Sequence, residues 1–458
     1  MHFKRKTITS LVVSLWAFGL SGQALANDSD ELEKMRAMMQ EMNQQMHAMA
    51  EEIDALKHDT TKTNAQLADE KKSAPVIKAG DGGFGIQSSD GKNAIYLNGR
   101  VQADYHAFGK SDAQNADTWD LRRAFITLQG KIYGDYDFNV TGDFAAQSNI
   151  SGLGSGTSPT KTILDQAYFG INWWSQARFR FGQFNMPFGL ERNTSDILTD
   201  FTERALTEAL IPSKERGAMI HGAPIAGTYY GLAISTGRGK NADNLDTQVD
   251  SPDIIGRGVV NLAKIANIDN SVIHLGGSFS HGYTSGNQAS NTNNLTNYTF
   301  LVGQGNAASK TEANGITFFT PGQIQLAAGS DIERTRWGAE AAFAYGPVKF
   351  QTEYVMNNYQ GISTKPGAIG AFDKDIHAWY ASANWLVTGE RYADAYNSDG
   401  TWGRIKPKHD FNLKEMGMGA IGLGLRYSEY DAGDFAAGAG AVAPVGSAWT
   451  NTRTSTGA

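Results

Sequence analysis

The sequence predicts an all-β protein, a transmembrane antiparallel β-barrel preceded by a short N-terminal coiled coil. Three observations predict it. Beyond residue 93, apolar and polar residues alternate with period two. Many of the alternating segments run about 9 to 13 residues, the length of a tilted membrane crossing, where soluble strands run nearer five or six. Before residue 70, apolar residues recur instead at spacings of three and four.

The elements follow in order. Residues 1–26 carry a basic start, an apolar run over 11–20 and Ala24-Leu25-Ala26 before Asn27, the layout of a secretory signal peptide cleaved near Ala26. Lys4, Arg5 and Lys6 are the only charges before Asn27, so cleavage leaves the chain three units more acidic than its formal −7. That balance excludes a global basic field, and no nucleic-acid partner is expected. Nothing after the signal approaches the roughly 18 to 20 apolar residues of a spanning helix. The chain has no Cys, which removes disulfides, zinc–thiolate sites, iron–sulfur clusters and thiol nucleophiles together.

Over 27–70 the apolar positions are Leu32, Met35, Met39, Met42, Met46, Met49, Ile53 and Leu56, a heptad seam with Glu, Lys, Gln and Arg between. It weakens through Thr60, Thr63 and Leu67. A lone helix this polar is marginal, so the seam reads as a short oligomerising stalk, with a mobile amphipathic helix as the alternative. Methionine at most core positions packs adaptably and specifies oligomer number poorly. A Lys, Ser, Pro and Gly linker is expected over 71–93.

The barrel is expected over 94–458. In 94–106, Ile95, Leu97, Val101 and Ala103 alternate with Asn98, Arg100, Gln102 and Asp104, and in 177–181 Phe179 and Phe181 interleave with Arg178 and Arg180. The same pattern recurs over 124–132, 136–141, 166–173, 216–221, 227–236, 254–264, 271–282, 335–345, 348–357, 376–387 and 416–430, for about thirteen strands. Short turns such as Tyr133-Gly134-Asp135 and Tyr345-Gly346-Pro347 mark one end, and long polar excursions, 284–330 the longest, mark the other. Soluble sandwiches alternate too. Strand length, aromatics at expected strand ends (Trp173-Trp174, Tyr229-Tyr230, Trp379-Tyr380) and arginines on the polar face turn the apolar face toward lipid.

Residues 182–206 read GQFNMPFGLERNTSDILTDFTERAL, which resembles the signature of the phosphate-selective porin O/P family. LRRAFITLQGKIYGDYDFNVTGDFA at 121–145, ILDQAYFGINWW at 163–174 and WYASANWLVTGERY at 379–392 resemble further blocks of that family. The resemblance covers most of 93–430. It implies a homotrimeric porin in the outer-membrane lipid, sixteen antiparallel strands per subunit, inward-folded loops, and passage of small anions, phosphate or polyphosphate among them, or of small hydrophilic solutes. Two departures stand out. The tail 451–458 is polar and loop-like where the family ends on an aromatic, so two or three closing strands are expected to be missing. Phe125 stands where family strands often carry another basic residue.

Anion passage requires cationic side chains on the water path. Strand parity turns Arg100, Arg123, Lys131, Arg178 and Arg180 inward, and the resemblance brings Arg192, Arg204, Lys214 and Arg216 near the constriction. Arginine suits oxyanions because its planar fork donates two hydrogen bonds. The alternative for each is structural pairing, Arg122 and Arg123 with Asp120, Asp104 or Asp137. Glu340, Glu353, Asp135 and Asp143 also turn inward, giving a mixed lumen. The nine His show no metal-ligand spacing, so neither a metal nor another cofactor is expected. No catalytic residue is assigned, because a nucleophile–base set is missing. A second reading makes the barrel an anchor whose coiled coil contacts the periplasmic wall.

Overall fold

The computed structural model describes residues 28–80, 83–107, 117–145, 163–240, 251–284, 287–289, 297–299, 309–311, 317–321, 323–326, 331–364, 369–435 and 451–457. The export signal expected at 1–26 lies outside them. The chain divides into two units, Met1–Ala74 and Pro75–Ala458.

In the first unit, α1 (Asp28–Ser73) is an uninterrupted helix of 46 residues. No Gly or Pro falls within it, and Pro75 follows its end. The seam from Leu32 to Leu56 is 44–60% exposed on the single chain. Where the seam weakens, Thr60 and Thr61 turn their hydroxyls back onto the carbonyls of Leu56 and Lys57, each at 2.7 Å.

The second unit is built on sixteen antiparallel strands joined in chain order. They begin with β1 (Val76–Gly80), β2 (Gly83–Gln87), β3 (Ala94–His106), β4 (Thr118–Ile132), β5 (Tyr136–Asp143) and β6 (Ile163–Trp174). β7 (Ala177–Asn185), β8 (Lys214–Gly222), β9 (Thr228–Ser235), β10 (Asp253–Asn261) and β11 (Ser271–Thr284) follow. Five short strands lie in the next connection and pair only among themselves: β12 (Asn287–Ala289), β13 (Asn297–Thr299), β14 (Ser309–Lys310), β15 (Thr317–Phe319) and β16 (Gln323–Gln325). β11 therefore takes β17 (Ile332–Tyr345) as its neighbour, and β18 (Val348–Ser363), β19 (Gly370–Leu386), β20 (Gly422–Asp431) and β21 (Asn451–Gly457) complete the order.

Three of the sixteen strands of the large sheet were not legible as strands. β1 and β2 occupy the stretch expected as linker: Phe84 and Ile86 do alternate, but over five residues diluted by glycine. β21 replaces the loop expected at the tail, pairing Asn451–Gly457 with Asp431–Leu425 although its Thr- and Ser-rich sequence has no apolar face. The expected segment 254–264 breaks at Asn261, whose side chain accepts the backbone N–H of Lys264 and caps the one-turn helix at Leu262–Ile265. Residues 416–421 lie outside β20.

The sheet is sorted inside out relative to a soluble domain. Leu97, Val101, Leu232, Ile234, Phe343, Phe350, Leu423 and Leu425 are exposed, whereas Arg334, Arg336, Glu215, His274, Ser280 and Asn357 are fully buried on the opposite face. Period-two alternation places each set on one side, and only an apolar solvent makes the arrangement favourable.

The two ends of the strands differ. At one end connections are tight, as at Tyr133 and Gly134, both at positive φ. Exposed Trp174, Tyr345 and Trp385 ring that end. Trp379 and Tyr380, expected at a strand end, lie mid-strand in β19, and Tyr380 turns to the buried face, where its hydroxyl donates to Glu353 at 2.7 Å. The exception among the tight connections is 387–421, between β19 and β20. It folds onto the buried face, where Tyr392 and Trp402 pack with Leu190 and Leu386. From the opposite end, Phe318 and Phe319 in the 285–331 connection reach the buried Tyr430, so that segment is more than an outer excursion.

Candidate functional site

Residues 186–213, between β7 and β8, form the core of the site. The connection leaves β7 through Met186 and Phe188, both fully buried, and turns at Gly189, whose φ is +74°. A Cβ there would stand 2.8 Å from the Glu353 carboxylate and would have to displace it, in a backbone conformation that favours glycine. That carboxylate accepts the backbone N–H groups of Leu190 (2.9 Å) and Glu191 (2.7 Å), opening the one-turn helix Leu190–Asn193. Asn357 of the same strand donates to the Leu210 carbonyl at 2.9 Å.

Three acids of the segment are each gripped by a cation on a different part of the wall. Asp196 receives both terminal nitrogens of Arg100 from β3, at 2.7 and 3.0 Å, and Arg123 Nε from β4 at 2.7 Å. Asp200 meets Lys349 of β18 at 2.6 Å. Glu191 meets Arg426 of β20 at 3.1 Å and accepts the Ala205 N–H at 2.9 Å. The segment thus spans the buried side of the sheet from β3 and β4 to β18 and β20. Each ion pair is partly or wholly desolvated, and its geometry must offset that cost.

Electrostatics differ between two of these acids. Burial pushes the Asp196 carboxyl up, but the hydrogen bond from Arg100 and the charges of Arg123, Arg100 and Arg204 outweigh it and hold the group well below the usual carboxylate range. At Glu191 burial wins over Arg426, and the carboxyl is pushed up to about 7.

Of the nine cations singled out in the sequence, Arg100 and Arg123 converge on Asp196; Arg123 also donates to Gln102 at 2.9 Å. Phe125, the departure from the family pattern, lies under the Arg100 guanidinium at 4.6 Å. Arg192 pairs with Glu208, and Arg204 braces the segment by donating to the carbonyls of Glu191 (3.2 Å) and Thr194 (3.1 Å). Lys131 is exposed at the turn end of β4, opposite Asp137 in register. Arg178 is exposed at the turn end of β7, and Arg180 lies 4.3 Å from the Tyr168 ring centre. Among the described residues, neither Arg178 nor Arg180 meets a carboxylate.

Lys214 lies within reach of the charge of Arg192, although Lys214 and Arg216 sit on the wall rather than in the segment. They flank Glu215, which is fully buried beside Ser235. Lys214 ends on Asp165, where Lys240 also arrives at 3.2 Å.

Sequence reasoning turned Glu340 inward but missed its partners Arg257 and His274 and the cluster of Arg334, Arg336 and Asp253. Arg257 grips Glu340 at 2.7 Å with His274 on the same oxygen at 3.0 Å, and Arg334 and Arg336 share Asp253 at 2.8 and 3.3 Å. Alternation already places Arg334, Arg336 and Glu340 on one face of β17, which was the signal available. Among the described residues no cluster of His, Asp and Glu is arranged to hold a metal.

Residues 95–448 match the family described as phosphate-selective porin O and P. Porin O of Pseudomonas aeruginosa is 28% identical over 359 residues, covering 75% of this chain and 74% of that protein. Among solved structures, a loop-deletion mutant of the Vibrio cholerae outer membrane protein OmpT aligns over 74% of this chain and 83% of that one, at 8% identity and a TM-score of 0.39. The in-vitro folded trimer form of OmpT aligns over 80% and 96%, at 11% identity and a TM-score of 0.32.

Proposed function

The chain belongs to the phosphate-selective porin O and P family, proteins of the bacterial outer membrane, and from that premise we propose that it is a passive channel for small anions, phosphate or polyphosphate among them, or for small hydrophilic solutes. The sheet closes into a barrel, three copies assemble, and solute crosses past the 186–213 segment down its own gradient. The observation that carries this reading is the sorting of the sheet: apolar side chains stand exposed on one face, and charged ones fill the other around a connection folded among them. Backbone groups in lipid must all be paired, which a closed sheet achieves.

Selectivity for anions rests on arithmetic of pairing. Five cations, Arg100, Arg123, Arg192, Lys349 and Arg426, face four acids, because Arg100 and Arg123 share Asp196; one positive charge is left over beside the segment, and Arg178 and Arg180 add to it at the turn-end mouth. Reconstitution in planar bilayers tests the proposal. Stable conductance steps, with a reversal potential of anionic sign in a salt gradient, are expected; a folded trimer without steps would refute it.

The second reading, an envelope tether, is favoured by α1, whose methionine seam lies open along a helix of 46 residues. A three-stranded coil would bury that seam. Met42→Asp with Met49→Asp is expected to lower the temperature at which trimers dissociate while leaving conductance per pore unchanged. Loss of co-sedimentation with the periplasmic wall in the same variant would favour tethering.

A further inference from the structure

The connection 387–421 enters from the turn end and the connection 186–213 from the other, and they meet at Lys349. This side chain is 2% exposed, two residues from the turn between β17 and β18. Its Nζ lies 4.6 Å from the ring centre of Tyr392 and 4.5 Å from that of Trp402, both contributed by 387–421, and its partner Asp200 belongs to 186–213. Trp402 is fixed in turn: its indole N–H donates to Gln351 at 2.7 Å, and its backbone N–H donates to Thr194 Oγ1 at 3.2 Å. The 186–213 connection also touches β18 at Asn357, eight residues along the strand from Lys349, so its attachments span about 27 Å of wall. Among the described ion pairs of that connection with the sheet, Lys349 makes the one nearest the turn end.

We propose that Lys349 is a positioning residue for the constriction: seated on the rings of Tyr392 and Trp402, it holds the Asp200 end of the 186–213 connection, so that the turn-end segment sets the width of the passage. An ammonium group without these rings would sit loosely in a partly hydrated site. With them it is fixed by ring faces below and a carboxylate above. The position of one insertion thereby depends on the other, although they arise at opposite ends of the strands.

The inference rests on the porin reading for its functional meaning, and the test separates the two. The chain has no Cys, so Thr202→Cys, at an exposed position two residues from Asp200, gives a unique site for a spin label in the full-length trimer. Trp402→Ala and Lys349→Met are both expected to shift the label spectrum from a slow to a fast component and to raise single-channel conductance. Trp402→Phe and Lys349→Arg should restore the slow component. If Trp402→Ala does not assemble, as judged by heat-modifiable migration, Tyr392→Leu removes the other ring and is read the same way. A label unmoved by loss of the ring, or unmoved by Lys349→Met, overturns the proposal. Wild-type protein without conductance steps would overturn the porin reading instead, with the label result still deciding this one.

Discussion

Asp196→Asn is the sharpest perturbation of the proposed passage. Asp196 neutralises one of the two guanidiniums it binds, so the substitution adds one positive charge per subunit to the constriction while keeping an oxygen to accept from Arg100 or Arg123. At about 7 Å from a permeating ion in water, a unit charge contributes roughly 0.6 kcal/mol, which screening in 0.1 M salt reduces to roughly 0.3. That energy favours the anion and disfavours the cation equally, so the anion-to-cation permeability ratio should rise roughly threefold. Reversal potential across a salt gradient measures the ratio, and heat-modifiable migration confirms that the variant is folded. An unchanged ratio, or a shift toward cations, would show that Arg100 and Arg123 lie off the ion path and serve only to hold the segment.

Glu191→Gln should flatten the response of conductance to pH near 7. In the wild type, acidification through about 7 protonates Glu191 and releases Arg426. Because this pKa is raised from 4.5, the folded form holds a proton between pH 4.5 and about 7 that the unfolded form lacks. The stability contributed by this group is therefore present below 4.5 and lost as pH rises through 7; a pH series of thermal dissociation, wild type against variant, checks the sign. Arg178→Ala with Arg180→Ala should move the reversal potential toward cations without loosening the trimer. Gly189→Ala forces a side chain into the left-handed region, at a cost of about 1 to 2 kcal/mol, and pushes against the Glu353 carboxylate; a lowered dissociation temperature is expected.

The wall was largely legible in the sequence because alternation is a local signal: Phe179, Arg180 and Phe181 declare their faces without reference to any other strand. β2 and β21 were hidden because five glycine-rich residues and seven hydroxyl-rich ones carry too little contrast, and they form strands only through the neighbours they pair with. The site was legible in half. The inward parity of Arg100 and Arg123 follows from their own strands, but their carboxylate lies 96 residues beyond Arg100, in a connection with no periodicity. Lys349 is the clearest case of what sequence withholds, since the acid and the two rings around it come from separate connections. Lys214 shows the same limit: its partner Asp165 and the nearby charge of Arg192 come from other parts of the chain.

The sorting of the sheet bears on how such a protein reaches its destination. With greasy and polar residues interleaved one by one, the unfolded chain has a negative mean hydropathy, and none of its described helices is long and apolar enough to lodge in a bilayer. Interleaving of this kind suits passage through one membrane on the way to a second, because no single stretch of a strand is greasy enough to lodge on its own. Affinity for the second membrane comes into being only as the ribbons align and gather their oily halves together, so that folding itself acts as the sorting signal.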